Sequence, residues 1–227
     1  TAFAAHVVKL EGDNDVLNIT RPDVIAAIHR EYLEAGADII TTCTFNAQAI
    51  SQAEYKMQSE VRTMNRAAVA LARKEADRMT ALTPDKPRFV AGSVGPTSRN
   101  LTLANDTTVQ ELAECYATVI RGLIDGGVDI ILVETVMDVR NAAVAIEECR
   151  KINKEIPIIV SAVLSRIEGR VANGATIAKF LEDLPMEEIA AIGFNCTNGV
   201  KPLESAVKML SATCQKPIIA YPSAGQP

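Results

Sequence analysis

The 227-residue sequence has no apolar run long enough to span a bilayer; its most apolar stretches are short pieces flanked by polar residues. It has no basic excess either. With 23 lysines and arginines against 28 aspartates and glutamates, the net charge is −5. Phosphate recognition needs a basic face, so nucleic acid is not an expected partner. Cysteines are few and odd in number: Cys43, Cys115, Cys149, Cys196 and Cys214, widely spaced in a chain too large to need disulfide staples. Free thiols in a reducing, cytoplasmic setting are expected, one of them a candidate for function. The two histidines, His6 and His29, stand at metal-ligand spacing from none of these cysteines. No secretory leader, linker or low-complexity stretch is visible, so one domain over residues 1–227 is expected.

The residues that are present make an ordinary globular mixture, 48% hydrophobic and 22% charged. Six short apolar, β-branched runs stand out: Asp38–Thr42, Arg88–Val94, Asp129–Glu134, Pro157–Val163, Ala190–Asn195 and Pro217–Tyr221. Helical patterns alternate with them over Pro22–Ala35, Ala47–Met79, Thr107–Gly126, Asp138–Lys151, Gly174–Leu184 and Lys201–Ala212. The runs are apolar on successive residues, which predicts strands of a parallel sheet buried on both faces. Thr20-Arg21-Pro22-Asp23 reads as a helix start, and glycines at Gly36 and Gly127 read as helix ends before strands. Strict βα alternation leaves an open doubly wound sheet or a closed barrel. No strand end carries the G-x-G-x-x-G turn of a dinucleotide fold. Polar residues instead follow almost every strand, as at Thr42-Cys43-Thr44, Ser93, Glu134-Thr135, Ser165, Asn195-Cys196 and Ser223. In a barrel these positions converge on one face, so a TIM-type (β/α)8 barrel is the favoured reading. Six strands are two short of closure; the first and last are expected to lie outside this sequence.

Several stretches resemble the homocysteine-binding domain of cobalamin-dependent methionine synthases. Leu10–Leu17 followed by Thr20-Arg21-Pro22-Asp23-Val24-Ile25 is similar to that family's G-N-N-D-x-L start of a long helix. Ile28–Ile40 with Thr44-Phe45-Asn46 resembles its second βα unit. Thr83 through Pro87 to Gly95-Pro96-Thr97 is the segment most particular to that branch, and Val133-Glu134-Thr135, Gly193-Phe194-Asn195-Cys196 and Tyr221–Gly225 complete the set in order.

The resemblance implies a homocysteine S-methyltransferase. A zinc ion bound by three thiolates would hold the homocysteine sulfur as a thiolate, which then attacks a methyl group. The implied donor is methylcobalamin on another module, re-methylated from 5-methyltetrahydrofolate on a third; betaine and S-methylmethionine remain alternatives, as does a non-catalytic barrel acting as a binding or assembly module. Cys196 matches the first zinc cysteine, while the other two belong to a G-G-C-C-G-T segment absent from this sequence. By itself the chain is therefore expected to hold zinc poorly and to be inactive. Glu134 matches the acceptor of the substrate ammonium, and Thr44, Ser93 and Asn195 are the further expected substrate-binding residues. Departures from the family pattern stand at Ser223, usually asparagine, and at Thr41 and Cys43, where glutamate and asparagine are common. Cys43 reads as a packed strand-end residue, Cys115, Cys149 and Cys214 as structural, His29 as a helix-surface residue and the Arg73–Arg78 charges as a solvated helix face.

Overall fold

The computed structural model describes residues 12–197 and 199–223. Six strands form one all-parallel sheet in sequence order: β1 Ile39–Thr41, β2 Phe89–Val94, β3 Ile130–Val136, β4 Ile158–Val163, β5 Ala191–Asn195 and β6 Ile218–Tyr221. Each lies within or beside one of the six apolar runs. The sheet curls into a partial barrel with its helices on the convex side. Those helices are α1 Leu17–Thr20, α2 Pro22–Glu34, α3 Ala49–Gln52, α4 Val61–Leu82, α5 Val109–Gly126, α6 Val139–Ile152, α7 Ile177–Glu182 and α8 Val200–Thr213. Among the described residues no helix is long and apolar enough to cross a membrane.

The core lies between the convex face of the sheet and the helices. Val94, Ile131, Ile158, Val160 and Ile192 of the strands pack with Leu112, Leu123, Ile146 and Leu210 of the helices. A smaller cluster joins Leu33, Ile40, Ala72, Ala76 and Val90. Local signals fix the helix boundaries. Thr108 caps α5 in a reciprocal box, its hydroxyl accepting from Glu111 N while its own N–H donates to Glu111. Gly127 ends that helix at φ +93°, a left-handed turn that glycine adopts without strain.

Four expectations are corrected. The Ala47–Met79 pattern is not one helix: α3 gives way to 3-10 turns at Ala53–Tyr55 and Gln58–Glu60 before α4 begins. Lys56, left-handed at φ +59°, separates the two turns, and that conformation cannot continue a right-handed helix. The Gly174–Leu184 helix is shorter, because Val171 and Thr176 are drawn into bridges with Leu164 and Arg170. Burial of both sheet faces fails beside β1, where Ile39 is 46% exposed and its register partner Phe89 41%. The concave face is open there, and only the convex-facing Ile40 is covered.

The fourth correction concerns charge. His29 is not on the surface but 5% exposed, since Ile25, His29 and Leu33 recur every fourth residue and face α4 together. Burial pushes its imidazole down to about 4. Glu75, within the supposed solvated cluster, has a side chain only 2% exposed and receives Arg30 and Arg78.

Candidate active site

The carboxyl ends of the strands carry a connected polar layer on the concave face. It begins under β2. Thr44, 1% exposed, donates its hydroxyl to the Ser93 carbonyl at 2.8 Å, and Thr42 Oγ1 accepts from Ser93 N at 3.0 Å. Both threonine hydroxyls are thereby committed to holding the Ser93 backbone. Ser93 Oγ donates to Glu134 Oε1, and from the far side Tyr221 Oη donates to Glu134 Oε2 at 3.1 Å. A second branch runs from Ser161 Oγ, which lies near the Tyr221 phenol and donates to Asn195 Oδ1 at 2.9 Å. That contact fixes the amide: Asn195 Nδ2 then donates to Thr135 Oγ1 at 2.8 Å and approaches Cys196 Sγ at 3.3 Å.

Local backbone geometry aims these groups. Thr135 and Cys196, each just past a core strand position, are left-handed at φ +59° and +53°. A β-branched residue there is strained, and such strain persists where the surrounding structure holds it. Gly193 permits the close approach of β6: a Cβ at that position would collide with the Ile219 carbonyl oxygen. Side chains would therefore push β6, and with it Tyr221, away from Glu134.

Burial raises the Glu134 carboxyl above its ordinary range, with the Ser93 and Tyr221 hydroxyls opposing that shift. Among the described residues no arginine, lysine or histidine forms a salt bridge with it. A buried carboxylate held only by neutral donors is costly until a cation arrives. A cavity of about 220 Å³ lies at the carboxyl ends of β2 and β3 toward the helices, lined by Val94, Thr97, Tyr116, Val133, Met137 and Asn141, and Glu134 borders it. The Glu134 carboxylate itself turns to the other, concave face, with Ser93 and Tyr221.

The structure thus brings together Ser93, Glu134, Asn195 and Cys196, all named from the sequence. Thr44 lies in the same layer but beneath it. Tyr221, Ser161 and Thr135 are additions: their partners lie 87, 34 and 60 residues away, a separation that no local pattern reveals. Cys43 sits apart. Its Sγ faces Asn14 O at 3.7 Å and Asp15 Oδ1 at 3.9 Å, and burial with the neighbouring Asp15 and Asp13 pushes the thiol up to about 12. Asp15, unnoticed in sequence, accepts from Asn46 N at 2.8 Å, and its carboxyl is pushed up to about 7 by burial beside Asp13. Ser223 N donates to Thr197 O at 3.2 Å, tying the end of β6 to the segment after β5.

A zinc site needs three or four converging donors. Among the described residues no group of three His, Cys, Asp or Glu side chains is placed to hold a metal ion. Cys196 offers one exposed thiol, and alone it does not fit a closed zinc centre.

Known proteins of this architecture bear on the site. The homocysteine methyltransferase MmuM from Escherichia coli, in its oxidized form, superposes with a TM-score of 0.86 at 21% identity, covering 99% of this chain and 80% of that one. Its metallated form gives 0.84 at 21% identity over 98% and 80%. The apo form gives 0.74 at 22% identity over 93% and 76%. At these identities the likeness establishes a shared fold. The sequence itself carries the assignment further, since residues 2–227 match the family described as homocysteine S-methyltransferase. The chain belongs to the homocysteine S-methyltransferase family.

Proposed function

We propose that this chain, as one domain of a TIM-type (β/α)8 barrel whose first and last strands lie outside it, is the homocysteine-binding part of a cytoplasmic methyltransferase, and that Glu134 receives the substrate ammonium. The observation that carries this reading is the carboxylate itself: half-buried at the carboxyl end of β3 on the open concave face, held by two hydroxyls, and free of any basic partner among the described residues. An ammonium would supply the missing countercharge through a charge-assisted hydrogen bond. Ser93 and Asn195 complete the substrate contacts, Ser93 by orienting the carboxylate and Asn195 by directing its amide toward the sulfur end of the site. Thr44 serves through Ser93.

In the transfer, the substrate sulfur bonds to the methyl carbon as that carbon leaves its carrier with the bonding electrons staying on the carrier, and the thiol proton is released. Cys196 is assigned as one sulfur donor of a zinc site that requires donors beyond the described residues. The methyl carrier is assigned as methylcobalamin on a separate module, recharged from a folate-binding module, on the strength of the Thr83–Thr97 resemblance.

The test is Glu134→Gln in the complete enzyme, with titration of L-homocysteine beside metal analysis. Homocysteine affinity should fall by about 1.5–3 kcal/mol while metal content is unchanged. Equal loss of both, or loss of metal alone, would overturn the assignment.

A further inference from the structure

Glu134 is gripped from two directions that differ in origin. Ser93 comes from β2, the adjacent strand, and any serine at that register position could reach the carboxylate. Tyr221 comes from β6, beyond both β4 and β5, and reaches Glu134 across the concave face. Two features serve that reach. Gly193 on β5 lets β6 lie close, and the fully buried Ser161 on β4 lies near the phenol. The phenol is half-buried and its ring is rigid, so its oxygen is held in one place at little entropic cost.

We propose that Tyr221 is a positioning residue that makes this site selective for thiols carrying an α-ammonium group, by fixing the Glu134 carboxylate with its free lone pairs toward the open concave face. The inference rests on the reading of Glu134 as the ammonium acceptor. A carboxylate has about four lone-pair sites, and the two hydroxyls occupy two. The torsion that turns a carboxylate is broad and shallow, so Ser93 alone would leave the group free to rotate. Two donors on opposite oxygens fix the plane. Both are neutral, so the negative charge is oriented without being cancelled, which an arginine in the place of Tyr221 would do. The ring itself need not touch the substrate; its effect passes through Glu134.

The experiment titrates the full chain with L-homocysteine and with 4-mercaptobutanoate, which keeps the thiol and carboxylate but lacks the ammonium group. Wild type should bind homocysteine more tightly. Tyr221→Phe, which removes one hydroxyl, should lose about tenfold in homocysteine affinity while 4-mercaptobutanoate shifts by less than about twofold. Ser161→Ala should show the same selective loss at about threefold, because it opens space beside the phenol without removing its hydroxyl. Loss of both ligands in equal measure in Tyr221→Phe would show a packing role and overturn the proposal, as would no change in either. If Tyr221→Phe unfolds, as read by its denaturant midpoint, Ser161→Ala decides alone, and a non-selective or absent effect overturns the proposal. Failure of the underlying reading looks different. Wild type would then bind the two thiols equally, or bind neither, and both assignments would fall together.

Discussion

Glu75 and Glu134 are both glutamates removed from water, and their surroundings treat them in opposite ways. Glu75 on α4 receives Arg30 in a two-pronged pair at 2.9 and 3.1 Å and Arg78 at 2.9 Å. Hydrogen bonds from Arg30, then Arg78, hold its carboxyl down to about 2. Glu134 receives only hydroxyls, and burial raises it. The first arrangement satisfies a charge in place and ties α2 to α4. The second leaves a charge without a countercharge on the open concave face. A side chain kept in that condition is held ready for a cation from outside, and the contrast separates a structural carboxylate from a functional one.

Charge removal is the harshest way to break this comparison. Glu75→Gln should lower unfolding stability by about 2 kcal/mol, since charge-assisted bonds are lost but both arginines are partly exposed and can be rehydrated. Glu134→Gln should leave stability within about 1 kcal/mol of wild type or raise it, because a buried charge without a cationic partner disappears. Denaturant unfolding of both variants at neutral pH measures this. If Glu134→Gln proves the more destabilising of the two, Glu134 is a structural group and the contrast dissolves.

The same pair should separate by pH. Glu75, lowered from 4.5 to about 2, contributes stability that is fully present above the ordinary carboxylate range and lost as pH falls toward 2. Glu134, raised, acts the other way: its contribution is fully present below 4.5 and is lost as pH rises through its folded value. The wild-type advantage over Glu75→Gln should therefore shrink on acidification from pH 5. Any advantage of Glu134→Gln over wild type should also shrink, with wild type gaining. Unfolding curves at several pH values would show these gaps closing from opposite signs; gaps of the same sign would contradict the assignment of one or both carboxylates.

These two glutamates also mark what a sequence discloses. The strands were legible because each is a run of apolar residues sandwiched against helices, and Ile131, Ile158 and Ile192 do pack as that pattern requires. Glu134 was legible because a carboxylate ending such a run has few structural reasons to be there. Glu75 was misread, since Arg30, which buries it, lies 45 residues away on another helix. Tyr221 and Thr135 stand in recognisable motifs, but their roles are hidden for the same reason: each acts through a partner set by sheet curvature and register rather than by spacing. The burial of His29, by contrast, is legible in its four-residue spacing from Ile25 and Leu33.

The finest distinction between the two regions is backbone strain. Around Glu75 the helix is regular, whereas Thr135, next to Glu134, holds a left-handed conformation that costs a β-branched residue on the order of 1–3 kcal/mol. Its hydroxyl accepts from Asn195 Nδ2 at 2.8 Å, so the strain is exchanged for an oriented amide beside Cys196. Thr135→Gly removes the strain and the acceptor together. Relief of strain and loss of one hydrogen bond nearly offset, and glycine adds unfolded-state entropy, so stability should rise by no more than about 1 kcal/mol. Homocysteine affinity should fall several-fold, roughly the worth of one misdirected amide. Thr135→Ser, which keeps the hydroxyl, should retain most of that affinity. Denaturation midpoints and homocysteine titrations on the two variants separate the effects. A glycine variant less stable than wild type by more than about 1 kcal/mol, or one that binds homocysteine unchanged, would show that the left-handed turn serves the fold alone.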